Sequence, residues 1–133
     1  RTGVLLMENL SASGLDTFRA GLTKEQAKKL EQMGRKYEIL HNHPGDSLPS
    51  SADFRGLFKR QLAIASTVVC HDGGLYRLEK LRQFDEIDEL IDLVYNHAYE
   101  KHPDWSKAMI ENYVSEQLIE HLSKNGIVRY IVR

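Results

Sequence analysis

The stretch HNHPGDSLPSS, from His41 to Ser51, lies between two apolar segments and limits what each can become. Pro44 and Pro49 have no N–H to give to a sheet and Gly45 favours a turn, so the strand-like run Tyr37 to Leu40 (YEIL) is expected to stop before it. At the far end Ser50 is a good N-cap. Behind it Phe54, Leu57, Phe58 and Leu62 recur on one helical face, which predicts a helix to about Leu62. The polar loop therefore leaves a strand end and enters a helix start.

The rest of the chain alternates in the same way. Gly3 to Leu10 (GVLLMENL) is strand-like and is closed by the Ser11 to Gly14 cluster. Thr23 to Arg35 reads as a helix, with Thr23 and Gln26 at capping-box spacing and Ala27, Leu30 and Met33 at helical intervals. Ile64 to Cys70 is β-branched, HDGG at His71 to Gly74 signals a hairpin turn, and LYRLE from Leu75 alternates apolar and polar residues. From Phe84 the period becomes helical: Ile87, Leu90, Ile91, Val94 and Ala98 form one stripe. Ile110, Tyr113, Val114, Leu118 and Leu122 form another after the HPDW break, with Asp104 as the expected N-cap and Gly126 just past the end. IVRYIVR at the end alternates like a strand. The pattern predicts a mixed α/β fold, with a core over residues 1–80 and a C-terminal antiparallel helical pair over 81–133 packed on it as one compact unit.

At 133 residues the chain fits one domain, and a domain of this size buries roughly two thirds of its unfolded surface. Lys and Arg total 18 against 19 for Asp and Glu, a net charge of −1, so there is no basic excess of the kind that neutralises phosphates and nucleic acid is disfavoured as a partner. The single cysteine, Cys70, excludes an internal disulfide framework and a cysteine-rich zinc finger, and it reads as a buried small hydrophobe. No apolar run approaches the ~20 residues that span a bilayer, and the expectation is a soluble, cytoplasmic chain without a membrane partner. Because a strand-like run begins almost at Arg1, the sequence is also expected to be the C-terminal piece of something longer.

Chemistry concentrates at the loop. Residues i and i+2 of an extended segment point to the same side, so His41 and His43 project together while Asn42 faces away. Asp53 sits in the first turn after the Ser50 cap, where a tight loop swings it back over the strand end. It is expected either to cap the helix or to act as a ligand, not both. Two imidazoles and a carboxylate suit zinc, and three protein ligands leave a fourth position for water, whose pKa such an ion lowers to roughly 7.

His41-Asn42-His43-Pro44 followed by Pro49-Ser50-Ser51-Ala52-Asp53 resembles the H-x-H-P…S-x-x-D signature of the JAMM (MPN-type) metalloproteases. The resemblance covers roughly Gly3 to Glu79. It implies a cytidine-deaminase-like α/β core and a Zn ion held by His41, His43 and Asp53. The implied activity is hydrolysis of peptide or isopeptide bonds in a protein or peptide substrate. It further implies that Ser50 helps to stabilise the oxyanion and that a glutamate acts as general base. Glu8, the only acidic residue of the first strand-like run, is nominated for that role; a base upstream of Arg1 is the alternative. Six residues separate His43 from Ser50, one fewer than is commoner in the family. The order of strand, helix and HNHP is also similar to JAMM-type domains attached to phage structural proteins and bacterial toxin-like proteins.

The plainer readings stand beside this one. Ser50 and Asp53 can simply cap a helix in a turn-rich loop. His71, His97, His102 and His121 have no convergent spacing and read as solvated or satisfied imidazoles, His71 being the one that a sheet edge could bring near the site. Tyr95, Tyr99, Trp105 and Tyr113 sit at helical intervals and read as packing, and the charges of TKEQAKKLEQMGRK as a solvated face. Two other functions compete: a noncatalytic MPN-like protein-binding module that docks through Phe84 to Lys124, and a nuclease suggested by the letters H-N-H. The nuclease motif spreads those residues over a ββα unit, and the charge balance does not favour DNA.

Overall fold

A computed structural model describes residues 24–43 and 48–133. The Gly3 to Leu10 segment, Glu8 and the Thr23 cap lie outside them. In chain order the elements are α1 (Lys24–Gln32), β1 (Tyr37–His43), α2 (Ser51–Phe58), β2 (Ala63–Cys70), β3 (Leu75–Lys80), α3 (Ile87–Lys101), α4 (Lys107–Lys124) and β4 (Val128–Val132). The four strands form one mixed sheet in the order β1-β2-β3-β4, with β1 parallel to β2 and the other two pairings antiparallel. This bears out the α/β expectation with a mixed sheet flanked by helices.

One face of the sheet carries the core. Tyr37 and Ala63 open it, Leu78 and Val128 continue it, and Phe54, Leu57 and Phe58 from α2, Ile87, Ile91 and Ala98 from α3 and Ile110, Val114, Leu118 and Leu122 from α4 close over it. Each large side chain buried there is worth roughly 1.5–3 kcal/mol of transfer free energy. The opposite face holds polar side chains: the Arg77 guanidinium pairs with Glu38 at 2.6 Å and Glu79 at 3.1 Å and donates to Thr67 Oγ1 at 3.1 Å. Ala65 and Thr67 of that face are buried as well.

Several boundaries differ from the sequence reading, each for a local reason. β1 does not stop at Leu40 but runs through His43, because β2 offers parallel partners along its whole length, pairing His41 with Val68 and His43 with Cys70. α2 ends at Phe58 rather than Leu62. Gln83 Nε2 donates to the Phe58 carbonyl, which a helix running to Leu62 would have used, and Lys80 Nζ at the end of β3 donates to the Arg60 carbonyl at 2.9 Å in the turn that follows. The N-cap of α4 is Ser106, whose Oγ accepts from Met109 N–H at 3.2 Å; Asp104 is displaced from that role by a turn in which Trp105 N–H reaches the His102 carbonyl. At the other end Gly126 has φ of +69°, the left-handed residue that terminates α4 and redirects the chain into β4.

Candidate metal centre

The site forms where β1 ends and α2 begins. Because β1 alternates, Tyr37, Ile39, His41 and His43 share the core-facing side, and the two imidazoles are the last members of that row. Phe54, Leu57 and Phe58 anchor α2 in the core with its first turn at the level of those imidazoles. Ser50 and Asp53 then make a reciprocal capping box: Asp53 N–H donates to Ser50 Oγ at 3.3 Å and Ser50 N–H donates to Asp53 Oδ2 at 2.7 Å.

The box fixes the carboxylate, and the histidines meet it. His41 Nε2 stands 2.8 Å from Asp53 Oδ1, His43 Nε2 stands 3.4 Å from Asp53 Oδ2, and the two Nε2 atoms are 3.2 Å apart. Asp53 thus caps and offers an oxygen at once, because its two oxygens divide the work; the expected choice between the roles does not arise. All three side chains are largely shielded from solvent, with 20%, 14% and 10% of their surface exposed for His41, His43 and Asp53. Burial pushes the Asp53 carboxyl up, but hydrogen bonding to His41 and His43, and to Ser50 N–H, outweighs it and holds the group well below the usual carboxylate range. The carboxylate is therefore ionised at neutral pH.

Proton positions alone leave this arrangement frustrated. If both Nε2 atoms carry hydrogen, two N–H groups face each other at 3.2 Å. If only one does, the other ring presents a lone pair to the lone pairs of Asp53. One cation at the centre satisfies all three atoms. Ligand atoms about 2.0–2.1 Å from zinc at a tetrahedral angle lie ~3.3 Å from one another, and the observed separations of 2.8, 3.2 and 3.4 Å bracket that spacing. His41, His43 and Asp53 could hold a metal ion, and they are the one such His/Cys/Asp/Glu group among the described residues.

Of the other residues singled out in the sequence, Glu8 lies outside the described residues. His71 is exposed in the β2–β3 turn, His97 and His121 are exposed on their helices, and His102 stacks on Trp105 with ring centroids 3.4 Å apart. Cys70 is buried. A contact that periodicity did not signal lies beside the site: Tyr95 OH donates to the Glu111 carboxylate and stands 3.2 Å from Ser51 Oγ, the first residue of α2. Burial and the Glu111 carboxylate raise the Tyr95 phenol pKa, with Ser51 opposing. Tyr95 was read as packing, and nothing in its helical spacing marks a partner on two other helices. Among the described residues no helix is long and apolar enough to cross a membrane. No family model, curated protein or solved structure matches the chain.

Proposed function

We propose that this chain is a zinc-dependent metallopeptidase or isopeptidase of JAMM type, with His41, His43 and Asp53 as the protein ligands of the ion and a protein or peptide as substrate. The observation that carries the reading is the meeting of two Nε2 atoms and a carboxylate in one shielded volume, at separations of 2.8, 3.2 and 3.4 Å that place all three around one point. The H-x-H-P…S-x-x-D resemblance supports it from the sequence. A bound zinc ion supplies Lewis acidity for the scissile carbonyl and lowers the pKa of water to roughly 7.

The residues around it have distinct tasks. Asp53 and the imidazoles hold the ion, and the capping box keeps the carboxylate from rotating away. Ser50 Oγ accepts from Asp53 N–H, which leaves its own hydroxyl proton to donate to a developing oxyanion at the mouth of the site. Glu8 is the nominated proton carrier between water and the leaving amine. Metal analysis of the purified, zinc-loaded chain beside His43→Ala tests the reading, followed by hydrolysis assays on peptide and isopeptide substrates. About one zinc per wild-type chain and none in the variant is expected; equal metal content in the two defeats it.

A noncatalytic protein-binding module is the second reading. Its support is the apolar surface of the helical pair: Leu93, Tyr99 and Met109 are exposed, and Trp105, Met109 and Tyr113 line a shallow groove along α4. Bound zinc with no hydrolysis of peptide or isopeptide substrates favours that module.

A further inference from the structure

We infer that Tyr95, held by Glu111, is a positioning residue for the metal centre, fixing the first turn of α2 so that Asp53 meets the two histidines. The inference rests on the zinc reading above. Two sets of contacts fasten α2 to α3. Near its middle and end, Arg55 Nε and Lys59 Nζ reach Asp88 at 3.1 and 2.6 Å. At its first residue, Ser51 Oγ meets Tyr95 OH at 3.2 Å, and Tyr95 is tied in turn to Glu111 of α4. Tyr95 gives its proton to the Glu111 carboxylate, so the Ser51 hydroxyl donates to Tyr95 and is turned toward α3.

The two fastenings differ in where they act. Arg55, Lys59 and Asp88 are 40%, 59% and 42% exposed, and their ion pairs, open to salt, hold α2 beyond its ligand-bearing turn. The Tyr95 linkage is partly buried and charge-assisted, and it acts on the turn that carries Ser50 and Asp53. Groups that orient metal ligands from outside typically change metal affinity 10–100-fold when removed, and Tyr95 acts one link further out, so an effect of about 5–10-fold is expected.

The test compares Tyr95→Phe with Asp88→Asn, since both loosen α2 from α3 but only the first releases the ligand turn. Zinc affinity is read by competition with a chromophoric chelator, site geometry by the visible spectrum of the cobalt-loaded protein, and stability by thermal melting in chelator. Expected results are binding about 5–10-fold weaker with an altered cobalt spectrum for Tyr95→Phe, and affinity within about 2-fold with an unaltered spectrum for Asp88→Asn. Glu111→Gln keeps an acceptor for the phenol and should stay near wild type, whereas Glu111→Ala should follow Tyr95→Phe; this pair decides the matter if Tyr95→Phe does not fold. Wild-type affinity and spectrum in both Tyr95→Phe and Glu111→Ala overturn the inference, as does weakening that merely tracks the loss of stability across all variants. Failure of wild type itself to take up zinc or cobalt overturns the zinc reading as well, so the two failures are told apart.

Discussion

Replacing Asp53 with Asn separates the two roles of this side chain, because an amide matches the carboxylate in shape but offers one acceptor where the structure uses two. Asp53 accepts from Ser50 N–H through Oδ2 and faces His41 Nε2 through Oδ1. Asn can keep one of those contacts. Losing half of the capping box costs about 1 kcal/mol and losing the negative charge at the helix start about 0.5 kcal/mol, so the variant should be ~1.5 kcal/mol less stable. Over 133 residues the unfolding entropy is roughly 0.28 kcal/mol/K, so that loss lowers Tm by about 5 °C. Zinc at a thousand times its Kd adds about 4 kcal/mol to wild type, a rise of ~15 °C. If removing the charged ligand weakens binding about a thousandfold, the same zinc concentration stabilises the variant by only ~0.4 kcal/mol, one or two degrees. Ser50→Ala is the complementary control: it should lower Tm by about 4 °C through the cap while the rise with zinc persists. Differential scanning fluorimetry in chelator and in zinc reads all six conditions. An Asp53→Asn variant that zinc stabilises as much as wild type refutes the ligand assignment, and a Ser50→Ala variant that melts with wild type in chelator refutes the cap.

Glu8→Gln should abolish hydrolysis while leaving zinc bound; lost zinc or unchanged turnover in a coupled metal and activity assay shows that another group is the base. Leu118→Ala, at a fully buried position of α4, should cost 2–5 kcal/mol by urea unfolding, while Leu93→Ala, at a position 67% exposed, should change stability by less than about 0.5 kcal/mol. Gly126→Ala should cost about 1 kcal/mol in the same assay, because φ is +69° there and open space around the added methyl leaves the backbone conformation as the sole penalty. Burial holds the Tyr95 and Tyr130 phenols above their ordinary pKa, with Glu111 adding to the effect at Tyr95. A phenol that keeps its proton in the folded chain but loses it when unfolded contributes stability that is complete below about pH 10 and falls as pH rises further. Tyr95→Phe should therefore show a shallower loss of stability between about pH 9 and 11 than wild type in urea melts; parallel curves exclude this linkage.

Legibility followed the range of the interactions. The β2–β3 hairpin, the two long helices and the cap at Ser50 rest on neighbours in sequence, and HDGG, the 3.6-residue stripes and Ser50 announced them. The ends of β1 and α2 are not legible locally because distant groups decide them: β2 extends β1 to His43, Gln83 takes the Phe58 carbonyl at the end of α2, and Lys80 takes that of Arg60 just past it. At the site, the alternation of His41 and His43 and the first-turn position of Asp53 could be read directly, since period 2 and a tight connection are local facts. The Tyr95 linkage could not, because Ser51, Tyr95 and Glu111 lie on three helices and only the fold brings them together. Glu8 sits outside the described residues, so its nomination still rests on the resemblance alone.

Asp53 also shows how a candidate metal site can be built where a strand ends and a helix begins. Here two ligands are fixed by the pairing of β1 with β2, and the third by a helix whose aromatic side chains are fully buried. The fold thus preorganises both halves of the candidate centre, the strand end with His41 and His43 and the helix start with Asp53, before any ligand arrives.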